Sequence, residues 1–164
     1  MKRDKILSLT FGLLSLAINV FIIIQSCLDG GDSTSQSSWV VSLLQNIINT
    51  FSKDAINESN ITLFTHVVRK LIGHFGLFAL DGLITSIFIY FTFKNKLNIL
   101  VLMGISLVFG LLIAISTEVI QHFIPGRSGE ALDVLIDYSG YFLFAIYTLL
   151  ITYLIISRKH SKGR

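Results

Sequence analysis

The sequence predicts an all-α polytopic membrane protein with four transmembrane helices. Hydrophobic residues make up 52% of the 164 positions and charged residues only 14%, against roughly 25% charged residues in a soluble domain. Four apolar runs reach the length of about 20 residues with which a helix crosses a bilayer, and they lack the alternating polarity of barrel strands. The runs are Ile6–Leu28, Leu71–Phe93, Ile99–Val119 and Leu132–Ile156.

The first run predicts an uncleaved transmembrane anchor over residues 1–28. Its apolar stretch, Ile6–Ile24, is longer than the roughly 7–15 residues of a signal-peptide core, and no A-x-A-like cleavage site follows it. Cys27 is the only cysteine, which excludes both an internal disulfide and a cysteine-based zinc set.

Residues 29–68 are predicted to form an extracytoplasmic segment. Asp29–Ser38 is rich in Gly, Ser and Asp, which predicts a mobile linker. Trp39–Phe51 places apolar residues at helical spacing, which predicts a short interfacial helix anchored by Trp39. Two roles suit this helix: packing on the bundle, which we favour, and covering a polar site as a lid.

The basic residues predict the orientation of the chain. Nine of the 13 basic residues lie near the termini or between the second and third runs, so the positive-inside rule predicts a cell-membrane protein with both termini in the cytoplasm and a basic cytoplasmic tail over 158–164. These nine are Lys2, Arg3, Lys5, Lys94, Lys96, Arg158, Lys159, Lys162 and Arg164. The chain has no P-loop, dinucleotide or nucleic-acid motif, so we expect no nucleic-acid partner.

Polar residues recur along the second run. Lys70, His74 and Asp81 lie at i, i+4 and i+11, which at α-helical periodicity predicts one shared face. Arg69 and Lys70 also suit basic side chains that snorkel at a helix end, and His74 suits either packing or function. Asp81 lies near the middle of the membrane, where a carboxyl group needs a proton or a partner.

A second polar group lies between the third and fourth runs. Glu118 and Gln121 point into one sector at the end of the third run, and the turn after them carries Arg127. Ser128 is the predicted N-cap of the fourth helix.

Two acidic residues at the start of the fourth run share a face. Asp133 and Asp137 are spaced i, i+4, and Gly140 permits close helix packing beside them. Asp133 also suits a simple interaction with the helix N-terminus, and Asp137 suits a salt bridge with Arg127 or Lys70.

In this order, the residues resemble the VanZ-like membrane protein family. The resemblance rests on Arg-Lys-x-x-x-His-Phe, Glu-x-x-Gln-x-Phe-x-Pro-Gly-Arg-x-Gly and Asp-x-x-x-Asp-x-x-Gly, between about Arg69 and Leu150. It implies a three-helix membrane core over 69–157. The positions that match the family's recurrent residues are Lys70, His74, Glu118, Gln121, Arg127, Asp133 and Gly140, whereas Thr117, Asp137 and Phe78 depart from the family's usual residues.

The resemblance also implies a bacterial cell-envelope location. The family is named for a protein linked to teicoplanin resistance, so the resemblance implies a contribution to glycopeptide antibiotic resistance. It supplies no reaction, because the family has no established biochemical activity.

The candidate site is expected where three helix ends meet. Its predicted ligand-binding residues are Arg69, Lys70, His74, Glu118, Gln121, Arg127, Asp133 and Asp137. Arginine and lysine suit phosphate or carboxylate groups, so the expected partners are membrane lipids, including a polyprenyl phosphate or lipid-linked cell-wall precursor, or a glycopeptide antibiotic.

Three functions are compatible with such a site. We prefer a binding protein. The alternative is a membrane enzyme that modifies a lipid phosphate or peptidoglycan intermediate, with candidate catalytic residues His74, Glu118 and Asp133. A structural partner of another membrane protein is the third. We expect the carboxylates to pair with Arg127 and Lys70 rather than to hold Mg²⁺ or Ca²⁺, so no cofactor is predicted.

Overall fold

The computed structural model describes residues 2–162, except for the side chains at 32–34, 36 and 158–162. The basic residues predicted in the tail over 158–164 therefore lie outside the described side chains. All regular structure in the described part is helical, which confirms the all-α fold class. In chain order the helices are α1 (Lys2–Cys27), α2 (Gly30–Phe51), α3 (Ile61–Val68), a π-helical segment (Arg69–Gly76), α4 (Leu77–Phe93), α5 (Ile99–His122) and α6 (Ala131–Lys162).

Four helices are long and apolar enough to cross a membrane, as the sequence predicts. They are Lys2–Cys27, Ile61–Phe93, Ile99–His122 and Ala131–Ser157. The second of these is a continuous helix of 33 residues made of α3, the π segment and α4. It begins at Ile61 rather than Leu71, because the less apolar residues before the predicted run continue the helix.

The predicted linker before Trp39 is wrong, because α2 already begins at Gly30. The backbone N–H of Gly30 donates to the carbonyl oxygen of Pro125 at 3.2 Å. A side chain at position 30 would overlap the carbonyl group of Gly126. This close contact holds the beginning of α2 against the loop between α5 and α6, and such tertiary contact overrides the poor helix propensity of Gly and Ser.

Small residues let the spanning helices pack closely around Tyr141. This side chain is fully buried in a core with Ile18, Ile22, Phe78, Ala114 and Ala145. A Cβ atom at Gly82 would overlap the backbone of Tyr141, and one at Gly110 would overlap its ring. Glycine at both positions therefore permits the approach of α4 and α5 to α6.

The bundle has two distinct ends. At one end, Lys94 Nζ lies 3.2 Å from Asp4 Oδ2, which joins the loop after α4 to the start of α1. The opposite end contains the end of α1, the π segment, the end of α5 and the start of α6; we call it the polar end. The orientation of the bundle, with both termini in the cytoplasm, stays a prediction.

The predicted shared face of Lys70, His74 and Asp81 is wrong for Asp81. Lys70 and His74 bond to residues of α6, whereas Asp81 accepts hydrogen bonds from Asn19 Nδ2 of α1 at 2.9 Å and from Thr85 Oγ1 at 2.6 Å. The π segment explains the difference, because its i→i+5 hydrogen bonds place more residues in each turn than an α-helix has. Side chains after the π segment therefore point in directions that differ from those predicted by α-helical periodicity.

Candidate functional site

Lys70 of the π segment forms the first ion pair of the polar end. Its Nζ donates to Asp133 Oδ1 and lies 3.5 Å from Glu130 Oε2. Asp133 is buried, while the Lys70 side chain is 34% exposed. The ammonium group thus neutralises a carboxylate of α6 at the edge of the site.

His74 lies one turn deeper and contacts both acidic residues of α6. Its Nδ1 lies 3.0 Å from Asp137 Oδ1, and its Nε2 lies 3.9 Å from Asp133 Oδ2. The i, i+4 spacing of the two aspartates brings both carboxylates to one imidazole ring, as their predicted shared face requires. Asp137 therefore pairs with His74, and not with Lys70 or Arg127.

Glu118 connects the end of α5 to the loop that precedes α6. Its Oε2 accepts a hydrogen bond from the backbone N–H of Glu130 at 3.0 Å. Gly129 packs so closely on α5 that a side chain there would overlap the carbonyl oxygen of Glu118. The predicted N-cap at Ser128 is wrong: α6 begins at Ala131, and the Ser128 hydroxyl donates to Glu130 Oε1 at 3.2 Å.

Arg127 is held by neutral groups. Its Nη2 donates to Gln121 Oε1 at 2.8 Å, and its Nη1 donates to the carbonyl oxygen of Gln25 at 3.0 Å. Burial, together with the positive charge of Arg69, lowers the pKa of Arg127, although an arginine remains a cation. The described ion pairs do not include the predicted contact of Arg127 with an α6 carboxylate.

A cavity of about 310 Å³ opens beside these residues between α1, α2, the π segment and α5. Its apolar lining residues include Phe21, Ile22, Leu77 and Phe78, which we call the apolar wall. Its polar and charged lining residues, which we call the charged wall, include Gln25, Arg69, His74, Gln121, Arg127 and Asp137. The cavity therefore combines apolar and charged lining residues.

Potential metal-ligand atoms of three residues lie close together at the polar end. His74, Glu118 and Asp137 each place one ligand atom within 4.8 Å of the others. Glu118 Oε1 and Asp137 Oδ2 are buried and have no hydrogen-bond partner among the described residues.

The structure brings the predicted site residues to the polar end. Seven of them are joined by the bonds described above, and Arg69 lines the cavity. Sequence reasoning missed two participants: Glu130, which contacts both Lys70 and Glu118, and Gln25, whose backbone carbonyl holds Arg127. The sequence could have indicated Glu130, because this residue adds a further carboxylate to the loop between α5 and α6. The role of a backbone carbonyl leaves no such signal.

Together, the fold and the polar end define a multi-pass helical membrane protein with a charged cluster and an amphipathic cavity at one end of its bundle. The sequence profile of the VanZ/LLP1 family matches residues 11–156. The chain belongs to this family, as its motifs predict, and the match also includes most of α1. No curated protein and no solved structure matches the chain.

Proposed function

We propose that this VanZ-family protein binds an amphiphile with an anionic head group, in the class of polyprenyl phosphates and lipid-linked cell-wall precursors, on the outer side of the bacterial cell membrane. The observation that carries the proposal is a cavity lined both by apolar side chains and by Arg69 and Arg127. A lipid phosphate has the same division into a long apolar chain and a compact charged group.

The apolar wall lies where a lipid can enter from the side. Phe21 lines the cavity and is 47% exposed on the surface of the bundle, and Ile72 lines it with the same exposure. In a membrane, this surface faces acyl chains. An isoprenoid chain can therefore reach the cavity without crossing the charged cluster.

The charged wall suits a phosphate for two reasons. Arg127 is fixed by Gln121 and Gln25, so little side-chain freedom remains to be lost when an anion binds. Arg69 and Arg127 also line the same cavity, so an anion bound there can interact with two cations. Arginine has the fork of N–H donors that phosphate oxygens accept in pairs.

A binding measurement with matched lipids tests the proposal. Purified protein in detergent is titrated with a polyprenyl phosphate and with the uncharged polyprenol of equal chain length. We expect the phosphate to bind more tightly. Arg127→Ala should weaken phosphate binding roughly 10- to 150-fold, because a charge-assisted hydrogen bond contributes about 1.5–3 kcal/mol, and should leave polyprenol binding unchanged.

The control is Lys96→Ala, which removes an exposed cation at the opposite end of the bundle. This variant should bind the phosphate as the wild type does. Equal affinity of wild type and folded Arg127→Ala for the phosphate would contradict the proposal, as would equal affinity for phosphate and alcohol.

The family resemblance supports a contribution to teicoplanin-type resistance, through capture of a lipid-linked precursor or of the drug itself. A competition measurement compares the two ligands: teicoplanin should displace polyprenyl phosphate if it binds in the same cavity, and it should not if only the lipid binds there. A resistance phenotype that persists in well-expressed Arg127→Ala would separate resistance from this site.

An enzyme that modifies the bound intermediate is the second candidate. One observation favours it: the His74 ring is oriented by Asp137, the arrangement of a general base held by a carboxylate. Such an enzyme should release a product detectable by mass spectrometry, and His74→Gln should abolish release while substrate still binds. Absence of any product in the presence of bound lipid would leave the binding function alone.

A further inference from the structure

We infer that His74, Glu118 and Asp137 form a binding site for a divalent transition-metal cation such as Zn²⁺ or Mn²⁺. This inference does not depend on lipid binding, although His74 and Asp137 also line the cavity. It reverses the sequence-based expectation that the carboxylates serve only as salt-bridge partners.

The first observation is the convergence of three ligand types from three elements. One ligand atom from each residue lies within 4.8 Å of the other two, so a modest inward movement brings all three to the roughly 2.0–2.2 Å at which imidazole nitrogen and carboxylate oxygen bind Zn²⁺. Coordination by one imidazole and two carboxylates suits Zn²⁺ or Mn²⁺ better than Mg²⁺ or Ca²⁺, which prefer oxygen ligands throughout.

The second observation is independent of this geometry. Glu118 and Asp137 are 4% and 1% exposed, and each has one carboxylate oxygen without a hydrogen-bond partner among the described residues, Oε1 and Oδ2 respectively. Buried polar atoms are rarely left in this condition, and an absent ion is one of the recognised reasons. A cation between the two carboxylates would supply a partner to both.

Charge points to the same conclusion. Lys70 pairs with Asp133 and Glu130, whereas none of the described ion pairs joins a lysine or an arginine to Glu118 or Asp137. Among the described ion pairs, Asp137 has only the His74 ring as a partner, and Glu118 takes part in none. A divalent cation compensates two carboxylates, and the imidazole then binds as a neutral ligand.

The surrounding residues form the outer layer that metal ligands require. The backbone N–H of Glu130 orients Glu118 through Oε2. Asp133 Oδ2 lies 3.9 Å from His74 Nε2 and is held in turn by Lys70. Such partners fix the orientation of the ligands and contribute to metal affinity.

Metal titration of the full-length protein tests the inference. Protein in detergent is stripped with EDTA and then given Zn²⁺ or Mn²⁺ alone, with bound metal measured by elemental analysis and by isothermal calorimetry. We expect about one ion per chain and a higher melting temperature with metal, because a ligand that binds only the folded state stabilises it. The isosteric variants Glu118→Gln and Asp137→Asn should bind about tenfold or more weakly.

Two controls address adventitious binding. His122→Gln removes an exposed histidine at the end of the same helix as Glu118, and Asp81→Asn removes a buried acid outside the cluster; both should retain wild-type affinity. Substoichiometric metal, or equal binding in folded Glu118→Gln and Asp137→Asn, would overturn the inference. If either variant fails to fold, the metal dependence of the wild-type melting temperature decides instead, and a melting temperature that metal leaves unchanged would count against the site.

Discussion

Lys70 of the π segment donates a hydrogen bond to Asp133 at the start of α6. The two residues are 63 positions apart, and their bond closes the polar end between two spanning helices. The sequence allowed the acidic residues of α6 to pair with either Lys70 or Arg127. In the structure, Asp133 pairs with Lys70.

Exchanging the two charges tests this pairing. Lys70→Asp and Asp133→Lys should each lower the free energy of unfolding by about 1–3 kcal/mol, less than breaking a fully buried pair, because Lys70 is partly exposed. The double variant should recover part of the loss. Recovery will be incomplete, because a lysine in the first turn of α6 opposes the helix dipole. Thermal unfolding in detergent measures both effects.

Arg127→Asp combined with Asp133→Arg is the matched control for this exchange. Arg127 bonds to Gln121 and Gln25, so this second exchange should restore nothing. Recovery in the Arg127 pair but not in the Lys70 pair would show that the pairing described here is wrong.

We expect the stability of the bundle to depend on the hydrogen bonds that Asp81 accepts more than on its negative charge. It is fully buried and accepts bonds from Asn19 and Thr85. Asp81→Asn keeps an oxygen acceptor for both donors and replaces a carboxylate, whose Oδ2 has no partner among the described residues, with a neutral amide. This variant should melt at or above the wild-type temperature. Asp81→Leu should lose about 1–3 kcal/mol for each donor left without a partner.

The two Asp81 variants therefore separate shape from charge in one comparison. A folded Asp81→Asn protein that melts as low as Asp81→Leu would mean that the negative charge itself stabilises the bundle. Circular dichroism on heating, with size-exclusion chromatography to establish folding, gives the answer.

Helix α2 should lie in the membrane interface with its exposed apolar stripe in the lipid. Trp39 and Phe51 at its two ends are 66% and 88% exposed, and Leu43 and Ile47 lie between them at spacings of four residues. Trp39 is the only tryptophan of the chain, so its fluorescence reports on this helix alone. We expect quenchers near the lipid head group to be more effective than quenchers deep in the acyl chains.

The quenching measurement can also contradict the interfacial position of α2. Strong quenching by a water-soluble quencher with none from lipid would place α2 away from the membrane. A Trp39→Phe variant, which should show no tryptophan emission, controls for background signal.

The orientation of the polar end can be measured by cysteine labelling in intact cells. In a Cys27→Ala background, single cysteines at the exposed positions Ser35 and Ser128 should react with a membrane-impermeant thiol reagent, and one at Asn95 should not. Labelling at Asn95 alone would invert the predicted topology and place the candidate site in the cytoplasm.

Sequence patterns predicted the spanning helices well, because length and apolar content determine whether a segment crosses a bilayer. They also predicted that Asp133 and Asp137 share a face, since spacing within one regular helix fixes direction. Prediction from spacing failed for Asp81, because the residue types over Arg69–Gly76 do not indicate a π-helical segment. The continuation of α2 back to Gly30 escaped prediction for another reason: it depends on contact with Pro125 and Gly126, far away in sequence.

Partner choice within the candidate site was the least predictable part. Charge alone allows Asp133 to pair with Arg127 as well as with Lys70, and only the packing of the helices decides between them. A backbone carbonyl such as that of Gln25 carries no residue-specific signal at all.

Native mass spectrometry of protein purified from bacterial membranes can identify a lipid that the cavity retains. We predict that wild-type protein retains a polyprenyl lipid that carries phosphate, and that Arg127→Ala, purified in the same way and equally well folded, loses it. Lys96→Ala should retain the lipid. The same lipids on wild type and Arg127→Ala, or only uncharged lipids on the wild type, would contradict the proposed function.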